Sequence, residues 1–127
     1  MAVNQVRRSG SYAPLSAHYY KDDAIAAAGE KAELLYLRGL AFCADVLNDG
    51  FISDVQLERY PGVGMRDVRT RARRLTEVQT KDGDPLWRRD DERGGFWVTA
   101  WEKWNRSSAE IAEMRKKDSH RKADGGS

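Results

Sequence analysis

Few residues of this sequence could hold a protein together through covalent or metal bonds. The chain has a single cysteine, Cys43, so an internal disulfide is excluded, and one cysteine with two distant histidines does not make a zinc site. Cys43 lies inside an apolar helical pattern, which predicts a small buried side chain. We therefore expect no metal and a fold that depends on its hydrophobic core.

Long apolar segments are also absent. No run approaches the roughly 20 residues that cross a bilayer, and the N-terminal stretch MAVNQVRRSGSYAPL lacks the apolar region of a signal peptide. We expect a cytoplasmic protein with no membrane partner.

The motifs of common enzymes are missing as well. There is no phosphate-binding glycine loop with a lysine, no G-x-S-x-G turn and no metal-ligand spacing. The adjacent acids Asp22 and Asp23, like Asp90 and Asp91, are typical of helix caps and turns, and His18 is expected to be a surface or packing residue. We expect neither catalysis nor a cofactor.

The charge that is present is unevenly distributed. The formal net charge is only +2, but acidic residues are common in the first half, whereas arginines collect between Arg66 and Arg93 and again after Arg115. This separation predicts a basic side of the molecule. A length of 127 residues allows one domain, which we expect over residues 12–114, between a polar arm at 1–11 and a basic tail without a core at 115–127.

The hydrophobic pattern predicts an α+β domain that is mainly α. Residues 12–20 are interpreted as a lead-in strand, and residues 21–29 as a short helix capped by Asp22 or Asp23 and ended by Gly29. A central helix follows over residues 30–50. Its predicted buried stripe is Leu34, Leu37, Ala41, Ala44 and Leu47, widened by Leu35, Phe42 and Val46.

The second half predicts short elements in a particular order. FIS, residues 51–53, is a short strand, and Ser53 or Asp54 caps a helix that ends before the turn PGVG at residues 61–64. An arginine-rich helix then runs from Gly64 to Val78. Two aromatic runs over residues 85–104 indicate a β-hairpin, and a capping box from Ser107 predicts a short terminal helix.

The arginine-rich helix has two different faces. A helical projection places Met65, Val68, Ala72 and Leu75 together, as a face that can pack on the core. Arginine side chains carry a planar fork that can bond guanine or a phosphate. We expect base or groove contacts from Arg66, Thr70 and Arg73, and phosphate contacts from Arg69, Arg71, Arg74, Arg89 and Arg93.

The order helix, strand, helix, turn, basic helix, hairpin is that of a winged helix-turn-helix protein, which predicts binding of double-stranded DNA. A plainer interpretation is a solvated surface helix whose arginines pair with Asp67 and Glu77. The hairpin tip RRDDERGG carries mixed charge. The four tryptophans at 87, 97, 101 and 104 could stack on bases, but aromatics of a small hairpin usually form its core.

Three patches, AELLYLRGL, DGFIS and the W-x-K-W-N of residues 101–105, make residues 12–111 resemble winged-helix domains of actinobacterial bacteriophages and prophages. Some of these domains are N-terminal parts of replisome-organiser or helicase-loader-like proteins. The resemblance implies a supporting helix from Ser53 to Tyr60, a recognition helix from Gly64 to Val78 and a wing from Leu86 to Ala100. It also implies a role in phage DNA replication or transcription control in a bacterial host.

An interaction module is the alternative function, because the same scaffold can bind a host or phage replication or transcription protein without contacting DNA. A homodimer is also open, formed through the helix from Ser107 or through the tryptophan-rich hairpin.

Overall fold

A computed structural model describes residues 15–104, 110 and 113–116 of the chain. The predicted arm at residues 1–11, the tail beyond residue 116 and the start of the predicted terminal helix at Ser107 lie outside these residues. Within the described part, the fold is α+β and mainly helical, with one small antiparallel sheet. The predicted fold class is confirmed at this level.

The elements follow one another in the predicted order, with two exceptions. After a single 3-10 turn (Tyr19–Lys21) come α1 (Asp23–Ala28), α2 (Glu30–Val46), β1 (Phe51–Ser53), α3 (Asp54–Arg59), α4 (Val68–Glu77), β2 (Trp87–Asp90), β3 (Gly95–Val98) and a helix, α5, over residues 99–104. One exception is the lead-in strand, since the described residues before α1 form turns and none of them pairs with β1, β2 or β3. The other is α5, which takes the place of the end of the predicted hairpin.

Local chemistry sets the ends of the helices. The Asp22 carboxylate accepts hydrogen bonds from the backbone amides of Ala24 and Ile25, and Gly29 ends α1 at a φ of 90°, where glycine is favoured. Ser53 and Gln56 form a reciprocal capping box at the start of α3. These caps were readable from the sequence because each bond spans three residues or fewer.

The sheet joins the middle of the chain to its end. Its strand order is β1-β3-β2, and all pairs are antiparallel, with Ile52 opposite Phe96 and Trp87 opposite Val98. The predicted hairpin is therefore present, and β1 extends it to three strands, but it is shorter than the predicted range of residues 85–104. Its second strand ends at Val98, and residues 99–104, which the hairpin was predicted to include, form α5 instead. Ile52, Trp87 and Val98 are fully buried, so one face of the sheet closes the core.

The predicted buried stripe of α2 is wrong in most of its positions. Leu34 and Leu47 are exposed, Leu47 to 75%, and Ala41 is exposed too. The buried face is Ala32, Leu35, Tyr36, Gly39, Leu40, Cys43 and Ala44. Because apolar residues surround most of α2, periodicity alone could not choose between adjacent faces; packing against α4 and the sheet does.

Two buried residues on α2 lie in the core, and one of them, Gly39, determines how closely the sheet approaches. Trp87 lies over Gly39 so tightly that a Cβ at residue 39 would sit 2.6 Å from the ring atom Cζ2. Cys43 is fully buried, as predicted, and burial raises the pKa of its thiol to about 12. Both observations identify this face of α2 as the centre of the core.

Candidate nucleic-acid interface

The arginine-rich helix begins later than predicted. Gly64 and Asp67 have φ angles of 76° and 54°, in the left-handed region, so the turn after Pro61 extends to Asp67 and α4 starts at Val68. Arg66 consequently lies in the bend before the helix. The expected inner face is confirmed: Val68, Ala72 and Leu75 are buried, and Met65 packs against them.

The outer surface of α4 and the bend before it carry a row of exposed polar residues, which we call the outer row: Arg66 in the bend, and Thr70 and Arg73 in the helix. Among the residues that the structure describes, none of these three side chains forms a hydrogen bond or a salt bridge. Two guanidinium groups and a hydroxyl therefore face solvent with all their hydrogen-bonding capacity free. This row contains the three residues predicted to contact bases.

The arginines on the flanks of α4 are bonded to the rest of the domain. On one side, Arg69 Nε lies 3.1 Å from Oε1 of Glu58 in α3. On the other side, Arg71 Nη1 donates to the Lys31 carbonyl oxygen (3.4 Å) and Arg74 Nη2 donates to the Ala27 carbonyl oxygen (2.7 Å). These contacts hold α4 between α3 and the α1–α2 junction.

The structure also bears on the plainer interpretation, in which acids of the basic helix itself pair with its arginines. Asp67 and Glu77 form no salt bridge with the α4 arginines in the described part of the chain; the single carboxylate that pairs with α4 is Glu58 of α3. Carboxylates therefore neutralise one of the four arginines of α4, while Arg71 and Arg74 meet neutral carbonyl groups. The surface of α4 stays basic.

The hairpin arginine Arg89 has an internal partner that the sequence did not indicate. Its Nη1 and Nη2 donate to the two carboxylate oxygens of Asp54 at 2.6 and 3.1 Å, and its Nε donates to Asp91 (2.9 Å). The Asp54 hydrogen bonds raise the pKa of Arg89 and hold the pKa of Asp54 below its usual value. Arg89 is thus bonded to α3 and to its own hairpin.

Arg93, at the other side of the hairpin turn, lies on aromatic rings. Its guanidinium carbon is 4.6 Å from the Phe51 ring centroid and 5.0 Å from that of Trp97. Asp90 supports this arrangement by accepting hydrogen bonds from Trp97 Nε1 (2.9 Å) and from the Arg93 amide, which lower its pKa. The tip that remains most open is acidic, with Asp91 and Glu92 exposed.

The tryptophans pack mainly inside the domain. Trp87 and Trp101 are buried, and Trp97 is half-buried between Phe51 and the Arg93 guanidinium. Trp104 is the most exposed of the four, and its ring packs 5.2 Å from that of Trp101. The expectation that hairpin aromatics form the core is confirmed for Trp87 and Trp101, which have no surface for stacking on bases.

Sequence reasoning missed Asp54 and Glu58 as partners of the predicted site. Both lie in α3, and each pairs with an arginine that is 35 or 11 residues away. The sequence does place two acids, Asp54 and Glu58, in the helix that precedes the basic helix, and this could have indicated ion pairs between the two helices or with the hairpin. That signal does not specify which arginine each acid meets, because the choice depends on how the hairpin packs.

Comparison of the chain with protein-family models, with curated proteins and with solved structures finds no match. In the described part of the chain, no helix is long and apolar enough to cross a membrane. What the fold and the surface define is an α+β domain that presents Arg73 of α4, and Arg66 of the bend before it, to solvent without a partner among the described residues.

Proposed function

We propose that this protein is a winged-helix protein that binds double-stranded DNA, with α4 in the major groove. The order of α2, β1, α3, α4, β2 and β3 supports this, as does the sheet order β1-β3-β2, in which the hairpin after the basic helix pairs with the strand before α3. The short α3 and the turn before α4 supply the two-helix unit of such domains.

The observation that carries the proposal is the outer row, because Arg66, Thr70 and Arg73 are exposed and their side chains bond to no other described residue. A guanidinium fork can donate to guanine O6 and N7 together, and a threonine methyl can contact thymine. The helix that holds the row is about 10 Å across with its side chains, and a major groove about 12 Å wide admits it.

The arginines predicted to contact phosphate differ in how freely they could leave their internal partners. Arg69 is the most available, because its pair with Glu58 is exposed on both sides and such pairs contribute only about 0–1 kcal/mol. Arg71, Arg74, Arg89 and Arg93 each have internal contacts that a phosphate would have to replace. In this proposal α4 supplies most of the affinity for DNA, and the hairpin stabilises the position of α3.

A biological role follows from the resemblance to phage winged-helix domains. We place this activity in phage DNA replication or transcription control, in the cytoplasm of a bacterial host, without catalysis or a cofactor. The patches AELLYLRGL and DGFIS that carry the resemblance fall on α2 and β1, which build the scaffold behind α4.

A salt titration with fluorescently labelled random duplex DNA tests the proposal. Affinity should fall log-linearly with salt, because bound phosphates release counterions. Arg66→Gln with Arg73→Gln should lower affinity about tenfold or more, which corresponds to about 1.4 kcal/mol or more. The matched control is Arg88→Gln, which removes an exposed arginine paired with Glu102 on the hairpin. No binding at low salt, or equal loss in both variants, would reject α4 as the DNA-contacting element.

The hairpin favours a second candidate, an interaction module for a replication or transcription protein. Arg88 and Arg89 form ion pairs within the domain and Arg93 lies on aromatic rings, while Asp91 and Glu92 are exposed, which suits a basic protein surface better than a phosphate backbone. The same titration separates the two functions, since the interaction module would show no affinity for duplex DNA at low salt.

A further inference from the structure

Exposed apolar surface is concentrated beside α2 and α3, in what we call the α2–α3 groove. Its walls include Val46 at the end of α2, Tyr60 after α3 and Val63 in the following turn, whose exposed fractions are 46%, 53% and 58%. The Phe42 and Tyr60 rings stack 5.4 Å apart, at an interplanar angle of 12°. Contiguous apolar surface of this kind marks binding sites on proteins.

The groove is held in shape by hydrogen bonds. Arg38 Nη1 donates to the Val63 carbonyl oxygen (3.0 Å), which ties the turn to α2, and the Tyr60 amide donates to the Gln56 carbonyl oxygen (2.9 Å). A preformed groove loses less conformational entropy when it is covered.

The edges of the groove carry both signs of charge. Asp45 lies on the α2 side and Arg59 on the α3 side; both are exposed, and neither forms a salt bridge within the residues described. Arg38 also lines the groove on the α2 side, where its guanidinium donates to the Val63 carbonyl oxygen. An acidic partner would meet both arginines but would be repelled by Asp45, and a basic partner would match Asp45 alone. A second copy of this chain supplies both signs, because a two-fold axis can place Asp45 against Arg59 twice.

We infer that two copies of this chain pair through the α2–α3 groove, with Asp45 of one copy facing Arg59 of the partner subunit. The apolar residues Val46, Tyr60 and Val63 form the centre of this interface. Trp87 of the hairpin and Trp101 of α5 are buried in the domain itself, so neither ring is available for a dimer interface. No residue of the outer row lines the groove, so the dimer presents two basic helices.

Sedimentation velocity of the full chain without DNA, across the micromolar range, tests the dimer independently of the proposed function. Val63→Glu places a like charge on both copies and should weaken the dimer about tenfold or more. The matched control is Val55→Glu, because Val55 is also exposed, to 64%, but lies outside the groove. Circular dichroism verifies that both variants are folded.

A charge exchange identifies the pairing. Asp45→Arg and Arg59→Asp should each weaken the dimer severalfold, whereas the double variant should regain most of the wild-type affinity. A wild-type chain that is monomeric throughout the concentration range overturns the inference. An equal loss of dimer affinity in Val63→Glu and Val55→Glu would also overturn it. So would a double variant whose loss of dimer affinity equals the sum of the losses in the two single variants. Any of these results leaves DNA binding by α4 unaffected.

Discussion

Arg89 and Asp54 form a two-pronged ion pair that joins strand β2 to the first turn of α3, with donor–acceptor distances of 2.6 and 3.1 Å. A backbone bond reinforces the connection, since the Asp54 amide donates to the Gly94 carbonyl oxygen (2.9 Å). The hairpin is therefore attached to α3 at two points. Both side chains are about one-third exposed, so the pair is partly screened by water.

Arg89→Ala should lower the free energy of unfolding and leave DNA affinity nearly unchanged. We expect a loss of about 1 kcal/mol, because a bidentate charged hydrogen bond is removed at a partly exposed position. Urea denaturation measures the loss, with Arg88→Ala as the control, since the Arg88 side chain is more exposed than that of Arg89 and forms one hydrogen bond to Glu102 rather than two. If Arg89→Ala leaves stability unchanged but weakens binding to all DNA sequences, Arg89 contacts phosphate, as the sequence predicted.

The same pair should make stability depend on pH in acid. The Arg89 hydrogen bonds lower the pKa of Asp54 from its ordinary value of 3.8, so the folded state binds a proton less readily than the unfolded state. The resulting stabilisation is complete above the unfolded pKa and is lost as the pH falls through the lower folded value.

Urea midpoints for the wild type and Asp54→Asn, measured from neutral pH to pH 2, isolate this contribution. Their difference should be constant near neutrality and should shrink below about pH 4. A difference that is unchanged down to pH 2 would show that the carboxylate charge does not stabilise the fold.

Substitutions on α4 should separate sequence preference from general affinity. Arg73→Ala should change which duplexes are preferred, because a bidentate contact to one base contributes about 1–3 kcal/mol of discrimination. Arg69→Ala should instead weaken all duplexes similarly and reduce the slope of log affinity against log salt by about 0.9.

Selection of bound fragments from random duplex DNA measures the preference of each variant. Arg66→Ala is expected to behave like Arg73→Ala, because both residues belong to the outer row. Identical selected sequences for the wild type and for both of these variants would exclude base contacts from the row.

Gly39→Ala should destabilise the core although alanine is the better helix former by about 1 kcal/mol. The added Cβ would lie 2.6 Å from the Trp87 ring, and overpacking of this kind costs about 1–3 kcal/mol. Trp87→Phe removes the ring atoms that clash, so Gly39→Ala should cost less in that background. A double-mutant cycle from thermal unfolding tests this coupling; additive effects would contradict the contact.

The positions of most elements were predictable because their signals are local. The Asp22 cap, the Ser53–Gln56 capping box and the break at Pro61 depend on residues within one turn of each other. The apolar face of α4 was equally readable, since only one of its sides is apolar. The start of α4 was predicted four residues early because nothing in the sequence shows the left-handed conformation of Asp67.

The exposure of the outer row was predictable from the sequence, but the internal bonds of the other predicted DNA-contacting arginines were not. Thr70 and Arg73 are exposed because they lie opposite the apolar face of α4, which periodicity reveals, whereas Arg66 is exposed in the bend before the helix. The partners of Arg89 and Arg74 are 35 and 47 residues away in the sequence. No spacing rule connects residues at such distances.

By itself, the sequence determined the kinds of most elements, the caps of the first helices and the amphipathic character of α4, because these follow from interactions within a few residues. Tertiary structure alone decided which face of α2 is buried and which arginines are already bonded within the domain. Those outcomes depend on where the sheet and α3 pack, since an arginine bonds whichever acceptor the fold brings within about 3 Å of it.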